Sequence, residues 1–323
     1  MPLVPLHEMY QDAVANRYAI GQFNVSNLEF VQAVLEAAEE MNSPAIIAAS
    51  SSAIKYAGLE NLVAIVRTAV GNLDVPIALH LDHGADVEIV RQCVDAGFTS
   101  VMIDGSQHPL EENIHLTQEV VDYAHMFNVT VEAELGRLSG MEDEVKVEAK
   151  DSCYTDPDEA VKFVQESGCD ALAIAVGTSH GAHKFKGEAK LDFDRIETIK
   201  QMTGIPLVLH GASGVPEDLI SKISQYGGDI PGAKGVPDEA YHQAIDRGIN
   251  KINIDTDLRL AFTAAIRELL SSDPGVFDPR KILGYARQAV KTIIKGKMEV
   301  LGSANRVSVE GVETEPYSIT SSS

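Results

Sequence analysis

The chain has 323 residues, 45% of them hydrophobic, which is enough material for one large domain or two small ones. It carries 26 basic and 48 acidic residues, so its formal net charge at pH 7 is −22. An acidic surface of this kind argues against nucleic acid or an anionic membrane as the main partner, because both repel it.

Apolar runs alternate with amphipathic segments along the chain, and this pattern predicts strands separated by helices. Helices are expected at residues 6–16, 27–38, 58–72, 86–96, 110–127, 157–167, 192–202, 216–226, 238–247, 257–271 and 279–301. Strands are expected at residues 19–25, 44–50, 76–83, 100–104, 129–134, 171–176, 206–209 and 251–255. Eight strands separated by helices pair in parallel, and in roughly 250 residues they fit an α/β fold, the closed (β/α)8 TIM barrel.

The barrel is expected to form a single domain over residues 1–305, in which residues 279–301 are an additional C-terminal helix packed outside the barrel. Residues 306–323 end in Ser-Ile-Thr-Ser-Ser-Ser and are expected to be a loosely ordered tail. An open doubly wound sheet is the alternative architecture. It is disfavoured because no Gly-x-Gly-x-x-Gly motif follows the first strand, and because polar residues end many strands instead of two.

The chain carries no sign of export. Its first residues, Met1-Pro2-Leu3-Val4-Pro5, lack a basic region followed by a long apolar stretch, so we expect no secretory signal. No apolar run approaches the roughly 20 residues of a membrane span. Three cysteines without paired spacing argue against a disulfide framework and fit a reducing compartment. The expected location is therefore the cytoplasm.

Three histidines follow predicted strands, and a glycine comes directly after each of them: His83, His180 and His210. A single histidine at a strand end is more often a hydrogen-bonded core residue than a ligand, and we expect His80 to be a buried neighbour of this kind. Three at equivalent ends would converge, because the carboxyl ends of barrel strands meet at one rim. Three imidazoles with an open fourth position match a catalytic zinc centre.

The same rim would collect further polar side chains. Asp104 and Glu134 have two possible roles, and the residues leave both open: they could accept hydrogen bonds from the histidine rings, or hold the metal in a resting position. The other rim residues end predicted strands or directly follow them, and they are Asn24, Ser50, Asp82, Ser213, Asn253 and Asp255.

Small and hydroxylated residues follow the last strands of the predicted barrel. Backbone N–H groups in such loops bind phosphate, and in barrels the loops after strands seven and eight commonly do so. Lys184 and Arg259 could supply positive charge. The residues that form this pattern are Gly181, Gly211, Ala212, Ser213, Gly214, Asn253, Ile254, Asp255 and Thr256.

The segment 136–144 is long, polar and flanked by glycine, as a mobile lid would be. Its acidic residues are most simply solvated surface charges. One of them could also move toward the rim and act as a base when a substrate binds.

Taken together, these motifs resemble the class II, zinc-dependent fructose-bisphosphate aldolases, including their tagatose-bisphosphate branch. The resemblance covers roughly residues 1–305, and although no motif is specific alone, the set is highly specific. The motifs are Leu81-Asp82-His83-Gly84, Val131-Glu132-Ala133-Glu134-Leu135-Gly136, Gly177-Thr178-Ser179-His180-Gly181, Leu209-His210-Gly211-Ala212-Ser213 and Asn253-Ile254-Asp255-Thr256.

The resemblance implies reversible cleavage of a ketose bisphosphate to dihydroxyacetone phosphate and glyceraldehyde 3-phosphate, a step of glycolysis and gluconeogenesis. By that resemblance Asp82 takes the proton from the C4 hydroxyl, and Glu142 aligns with a loop acid that moves a proton at the carbanion carbon. His83, His180 and His210 would hold the zinc, and Asp104 and Glu134 match positions that hold a displaced or second divalent metal.

The resemblance also implies the partners of the protein. We expect a phosphosugar substrate, no nucleic acid or membrane partner, and a homodimer or homotetramer. A monovalent cation is common in the family. Arg259 and Arg280 would bind the second phosphate, with Arg280 reaching across a dimer interface. The other expected substrate contacts are Asn24, Ser50, Gly181, Lys184, Gly211, Ala212, Ser213, Asn253, Ile254, Asp255 and Thr256.

Fructose 1,6-bisphosphate is the expected substrate, because the position of Asp255 is typically aspartate in fructose-specific members and alanine in the tagatose branch. The alternative is tagatose 1,6-bisphosphate, since chain length and residues 134–138 resemble a tagatose-like subgroup that also contains fructose-specific enzymes.

Three other mechanisms or functions are less consistent with the residues. A lysine Schiff base is disfavoured because no lysine ends the first seven strands, although Lys184 and Lys251 lie near strand ends. A barrel that only binds phosphosugars would not need both Asp82 and Glu142. A zinc hydrolase usually carries a His-x-His pair on its first strand, and residues 23–25 contain none.

Overall fold

The computed structural model describes residues 3–71, 73–138, 153–179, 191–230 and 234–307, together with the backbone of residues 140–142 and 145–147. The strands are β1 (Ile20–Asn24), β2 (Ala45–Ser50), β3 (Ile77–Gly84), β4 (Ser100–Ile103), β5 (Thr130–Leu135), β6 (Gly140–Glu142), β7 (Val145–Val147), β8 (Ala171–Ile174), β9 (Leu207–Leu209) and β10 (Ile249–Ile254). The helices are α1 (Leu6–Asn16), α2 (Leu28–Glu40), α3 (Ser51–Ala57), α4 (Leu59–Val70), α5 (Val87–Ala96), α6 (Leu110–His125), α7 (Pro157–Ser167), α8 (Phe193–Thr203), α9 (Glu217–Gln225), α10 (Asp238–Asp246), α11 (Thr256–Ser272) and α12 (Pro279–Val300).

Eight parallel strands close into a barrel in the order β1-β10-β9-β8-β5-β4-β3-β2. The closure joins the first and last strands of the barrel, because β1 pairs with β10 on one side and with β2 on the other. Helices lie between successive strands, so the predicted (β/α)8 barrel is confirmed. Every predicted helix and strand has a counterpart whose ends lie within two residues of the predicted ones.

One helix and one two-stranded hairpin were not predicted. Helix α3 follows β2 without a loop, and it begins there because the Ser50 side chain accepts a hydrogen bond from the Ala53 backbone N–H at 3.4 Å. Strand β6 lies in the expected lid and pairs in an antiparallel hairpin with β7, which directly follows the lid segment. Residues 143 and 144 lie outside the described residues, as do residues 308–323 of the expected tail.

Helix α1 covers the N-terminal end of the barrel. Its apolar residues Leu6, Met9 and Tyr10 pack in one buried cluster with residues from the N-terminal parts of the strands, such as Ile20 and Ala78. The bottom of the barrel is therefore filled by side chains, as is usual for this fold, and the opposite end remains for a site.

The last helix, α12, packs against α2 and α11. Its outer side is tied to α2 by ion pairs from Lys291 to Glu36 at 3.2 Å and from Lys295 to Glu40 at 2.8 Å. The confirmed C-terminal helix is thus part of the outer layer of the barrel. Over the part of the chain that the structure describes, no helix combines the length and the apolar character needed to cross a membrane.

Four barrel strands each place two polar residues at positions i and i+2, which point to the same side of a strand. That side is the barrel interior, since these side chains bond to residues on strands that are not neighbours in the sheet. The deeper layer, with no exposed surface, consists of Gln22, His80, Glu132 and Lys251. The layer above it, toward the C-terminal rim, consists of Asn24, Asp82, Glu134 and Asn253.

Gly84→Ala should destabilise the protein by about 1–3 kcal/mol, the usual cost of overpacking. An added Cβ would lie 2.4 Å from the Met102 carbonyl oxygen on β4, and backbone cannot move aside as a flexible side chain can. The measurement is urea unfolding. Gly284→Ala is the control, because nothing lies within 4 Å of its added Cβ in α12, and a gain of about 0.5–1 kcal/mol is expected there. Equal stabilities of Gly84→Ala and the unmodified protein would contradict this close approach of β3 and β4.

Candidate metal centre and active site

Asp82 lies at the centre of the upper polar layer and is 1% exposed. Its Oδ2 accepts a hydrogen bond from Asn24 Nδ2 at 2.7 Å, and its Oδ1 accepts one from Asn253 Nδ2 at 3.1 Å. Strands β1 and β10 therefore each direct an amide donor at the carboxylate that β3 presents. Both amide groups donate, so the Asp82 carboxylate accepts a hydrogen bond on each of its oxygens.

His83 is the penultimate residue of β3 and has a backbone conformation that is rare for residues other than glycine, with φ of +48°. Such strain persists where surrounding structure imposes it, and here the register with β4 shifts between Leu81 and Gly84. The His83 Nδ1 atom lies 3.0 Å from Asp104 Oδ2. Burial opposes the charge of Asp104, but hydrogen bonds from His83 and Ser106 outweigh it and hold the pKa of this carboxyl well below its usual range. A neutral His83 ring that donates from Nδ1 to Asp104 has its lone pair on Nε2.

His210 follows β9 and is 1% exposed, and each of its two ring nitrogens faces a different partner. Its Nε2 lies 2.8 Å from Glu132 Oε1, and its Nδ1 lies 2.8 Å from His83 Nε2. Burial lowers the pKa of His210 below its ordinary value, and the bond to Glu132 offsets this only in part. The ring is therefore neutral near pH 7, with its N–H toward Glu132 and its Nδ1 lone pair toward His83.

The donors around these two rings fit a divalent metal. Two lone pairs that face each other at 2.8 Å repel unless a cation or a proton lies between them. Glu134 Oε2 lies 3.8 Å from His83 Nδ1 and 3.9 Å from His210 Nδ1. Ligand atoms of Asp82, His83 and His210 all lie within 4.8 Å of one another, and so do those of His83, Asp104 and Glu134. Neutral imidazoles beside carboxylates are a donor set typical of zinc.

The deeper polar layer supports these residues, and sequence reasoning missed most of it. Glu132 forms an ion pair with Lys251 across the barrel, with Nζ 2.8 Å from Oε2. Burial alone would raise the pKa of Glu132, but Lys251 and the hydrogen bond with His210 hold it well below its usual range. His80 is buried as expected, and burial followed by the charge of Lys251 lowers its pKa to about 3. The sequence did contain a signal for this layer. Glu132 and Lys251 lie two positions before the predicted site residues Glu134 and Asn253, so on a strand they point to the same side.

The loops after β9 and β10 meet as predicted. Ser213 Oγ accepts hydrogen bonds from the backbone N–H groups of Asp255 and Thr256, both at 3.2 Å. These groups belong to the N-terminus of α11, where the positive end of the helix dipole favours an anion. Gly211 has φ of +59°, and a Cβ there would lie 2.7 Å from the Ser179 carbonyl oxygen, so only glycine permits this approach.

The loop after β9 is held from below by α11 and α12. Asp257 is fully buried and accepts hydrogen bonds from the backbone N–H groups of Gly214 at 2.8 Å and Val215 at 2.7 Å. Val215 is β-branched and has φ of +47°, so these bonds retain it in a strained conformation. Lys297 of α12 lies 3.6 Å from Asp257 and opposes its buried charge. The C-terminal helix therefore contributes to the geometry of this loop.

The remaining predicted site residues lie in three situations. Ser50 bonds to Ser52 in the first turn of α3 at 3.1 Å, and Asp255 forms an ion pair with Arg259 at 2.8 Å. Arg280 lies in the first turn of α12 with its side chain 91% exposed, where it pairs with Asp278. Outside the described residues are His180, Gly181 and Lys184, and of Glu142 only the backbone is described.

Comparison with known proteins identifies the family. The model of the family described as fructose-bisphosphate aldolase class-II matches residues 4–228 and 230–306. The fructose-bisphosphate aldolase of Helicobacter pylori strain J99 is 49% identical over 306 residues, which cover 94% of this chain and 100% of the relative. That of Thermus caldophilus is 50% identical over 299 residues, which cover 93% of this chain and 98% of the relative.

The chain belongs to the class II fructose-bisphosphate aldolase family. The crystal structure of the YdjI aldolase from Escherichia coli K12 agrees with this, with a TM-score of 0.77 and 32% identity over 95% of this chain and 100% of that one. The resemblance drawn from the motifs is thereby confirmed. In a class II fructose-bisphosphate aldolase, a lyase that acts on a ketose bisphosphate, the rim with Asp82, His83 and His210 is the candidate active site.

Proposed function

We propose that this protein reversibly cleaves fructose 1,6-bisphosphate to dihydroxyacetone phosphate and glyceraldehyde 3-phosphate, with zinc held by His83, His180 and His210. One observation carries the proposal: His83 Nε2 and His210 Nδ1 face each other at a distance of 2.8 Å, and Asp82 lies beside them. Each ring has its other nitrogen on a carboxylate, so both lone pairs are directed at one point. The curated relatives that match almost the whole chain carry the name fructose-bisphosphate aldolase.

The reaction needs a base at the C4 hydroxyl and stabilisation of the charge left on the other fragment. Asp82 accepts the C4 hydroxyl proton as the C3–C4 bond breaks, and it returns the proton to the aldehyde oxygen in the condensation direction. Asn24 and Asn253 keep the Asp82 carboxylate in place during both steps. A zinc ion on the histidines would act as a Lewis acid toward the negative charge that develops on the ketone oxygen. Glu142 of the hairpin supplies the proton for C3.

The phosphate groups are held at the rim by backbone donors and cations. The N-terminus of α11 at Asp255 and Thr256, with Ser213 beside it, binds one phosphate. Arg259 and Arg280 bind the other, and the exposure of Arg280 is consistent with a reach across the interface of a homodimer or homotetramer. The further substrate contacts in this proposal are Ser50, Gly181, Lys184, Gly211, Ala212 and Ile254.

The test is steady-state cleavage of both epimeric bisphosphates, with and without a chelator. EDTA should abolish cleavage and added zinc should restore it, because cleavage needs a Lewis acid at the ketone oxygen. Borohydride added with substrate should leave the chain unmodified. A covalent adduct by mass spectrometry, or full activity in EDTA, would contradict metal-dependent cleavage and favour an imine.

Tagatose 1,6-bisphosphate is the second candidate substrate, and Asp255 distinguishes the two. Asp255→Ala should reduce the ratio of kcat/KM for fructose over tagatose 1,6-bisphosphate by at least about tenfold, because a hydrogen bond to a sugar hydroxyl discriminates epimers better than apolar contact. Arg259→Met is the control, since it removes the ion-pair partner of Asp255 and retains the carboxylate. It should lower kcat/KM for both epimers alike. An unchanged ratio in Asp255→Ala would assign epimer selection to another residue.

Several finer features belong to the same proposal. We place the reaction in glycolysis and gluconeogenesis and the enzyme in the cytoplasm, because Cys93, Cys153 and Cys169 are free thiols as in a reducing compartment. Residues 1–305 form the aldolase domain and residues 306–323 a loosely ordered tail. Asp104 and Glu134 hold a displaced or second divalent ion, and a monovalent cation accompanies the substrate.

A further inference from the structure

We propose that Lys251, a buried residue of β10 that touches neither metal nor substrate, is a positioning residue for both halves of the active site. It orients His210 through Glu132, and it orients the donor to Asp82 through Asn253. This inference rests on the proposed function, because it assigns to Lys251 the direction of the groups that bind zinc and accept the substrate proton.

Lys251 has no exposed surface, and its ammonium group lies among three oxygen atoms. Nζ is 3.1 Å from Glu132 Oε1, 2.8 Å from Glu132 Oε2 and 3.0 Å from Asn253 Oδ1. An ammonium group has three donors and no acceptor, so each of these atoms must present a lone pair. The charge of Lys251 thus determines which atom of each neighbour faces it.

The first consequence concerns the metal ligand. Glu132 beside Lys251 is ionised, and an ionised carboxylate can only accept hydrogen bonds. His210 Nε2, 2.8 Å from Glu132 Oε1, must therefore carry the ring proton. The lone pair then resides on Nδ1, which faces His83.

The second consequence concerns the base. Because Asn253 Oδ1 accepts from Lys251, its Nδ2 is directed at Asp82 Oδ1, 3.1 Å away. A flipped amide would set an oxygen against the carboxylate and an NH2 group against the ammonium, so both contacts would become repulsive. Gln22 performs the equivalent task for Asn24 on the other side of Asp82, with Nε2 3.0 Å from Asn24 Oδ1. Lys251 bonds both to the carboxylate that faces His210 and to the amide that faces Asp82.

The ion pair could instead serve only stability, and a matched set of variants separates the two roles. Lys251→Met removes the ammonium group and keeps a side chain of similar length. Lys251→Met combined with Glu132→Gln removes the whole pair, so no unpaired buried charge remains to prevent folding. Lys200→Met is the control, because Lys200 also bonds a β10 side chain, Asn250 Oδ1 at 2.9 Å, but lies on the outer side of the barrel.

The experiment measures zinc affinity of the metal-free proteins by competition with a chromophoric chelator, and kcat and KM of the zinc-saturated proteins. Both Lys251 variants should bind zinc at least about tenfold more weakly, as is typical when the partner of a ligating histidine is lost. The kcat of both variants should also fall at least about tenfold, whereas their KM should change little. Lys200→Met should retain the zinc affinity and kcat of the unmodified protein, whatever its stability.

The outcomes distinguish this inference from the proposed function. An unmodified protein that neither binds zinc nor cleaves the bisphosphate would refute the proposed function. If the unmodified protein does both, and the folded double variant keeps its zinc affinity and kcat, Lys251 is only structural and the inference is wrong. Should Lys251→Met fail to fold, the double variant decides the question.

Discussion

Replacing Asp82 by alanine should lower kcat for bisphosphate cleavage by about 10²- to 10⁴-fold, the usual contribution of a general base. Asp82 is 1% exposed and receives N–H groups from Asn24 and Asn253 on its two oxygens. The measurement is kcat and KM at saturating zinc.

The zinc affinity of the same variant decides between two roles for Asp82. Its carboxylate lies within 4.8 Å of ligand atoms on His83 and His210, so geometry alone would permit it to bind the metal. If Asp82 is the base, Asp82→Ala should bind zinc as tightly as the unmodified protein while kcat falls. Asp82→Asn, which keeps the shape and removes the basicity, should lose a similar share of kcat. A kcat within tenfold of normal in both variants would remove Asp82 from proton transfer.

His210→Ala should abolish tight zinc binding and, with it, cleavage activity. The loss of a ligand exceeds the loss of a ligand's hydrogen-bond partner, which typically costs 10–100-fold in affinity, so a decrease of more than about 100-fold is expected. His210 Nδ1 is one of the two imidazole nitrogens that face each other at 2.8 Å, and alanine leaves His83 as the one described imidazole of this pair. Equilibrium dialysis against zinc measures the effect directly.

His80→Gln is the matched control for this variant. His80 is also a fully buried imidazole in the barrel interior, but its Nδ1 bonds to Ser100 Oγ at 2.8 Å. Its substitution should lower stability and leave zinc binding intact. If both variants lost zinc equally, the effect would come from disruption of the barrel interior. If His210→Ala retained zinc, the metal centre proposed here would be wrong.

The alternation of helices and strands was predictable because it depends on local periodicity. Buried parallel strands are continuous apolar runs, and helices carry apolar residues at every third or fourth position, so each element is visible in its own segment. The short helix α3 was missed because its start depends on the Ser50 side chain capping the backbone of Ala53. The hairpin of β6 and β7 was missed because each strand has only three residues, which is too short for a period-two pattern to be recognised.

The sequence predicted which residues form the candidate site, but it did not predict which of them contact one another. Asp82, His83 and His210 stand out because polar groups at the end of apolar strands are costly to bury without partners. The partner of His210, however, is Glu132, whereas sequence reasoning considered Asp104 and Glu134 for this role. Glu132 was not distinguished from other strand residues, since β5 and β9 are far apart in the chain and the tilt of the strands decides which interior residues meet.

By itself the sequence determined the class of this protein: a barrel with histidines, acids and glycines at the ends of its strands, in the motifs of a class II fructose-bisphosphate aldolase. Only the tertiary structure decided which nitrogen of each ring faces the metal position, which carboxylate holds it, and that Lys251 lies beneath both His210 and Asp82. The reason is that strand identity follows from local pattern. Contacts across a barrel follow from its closure and register, which no single segment encodes.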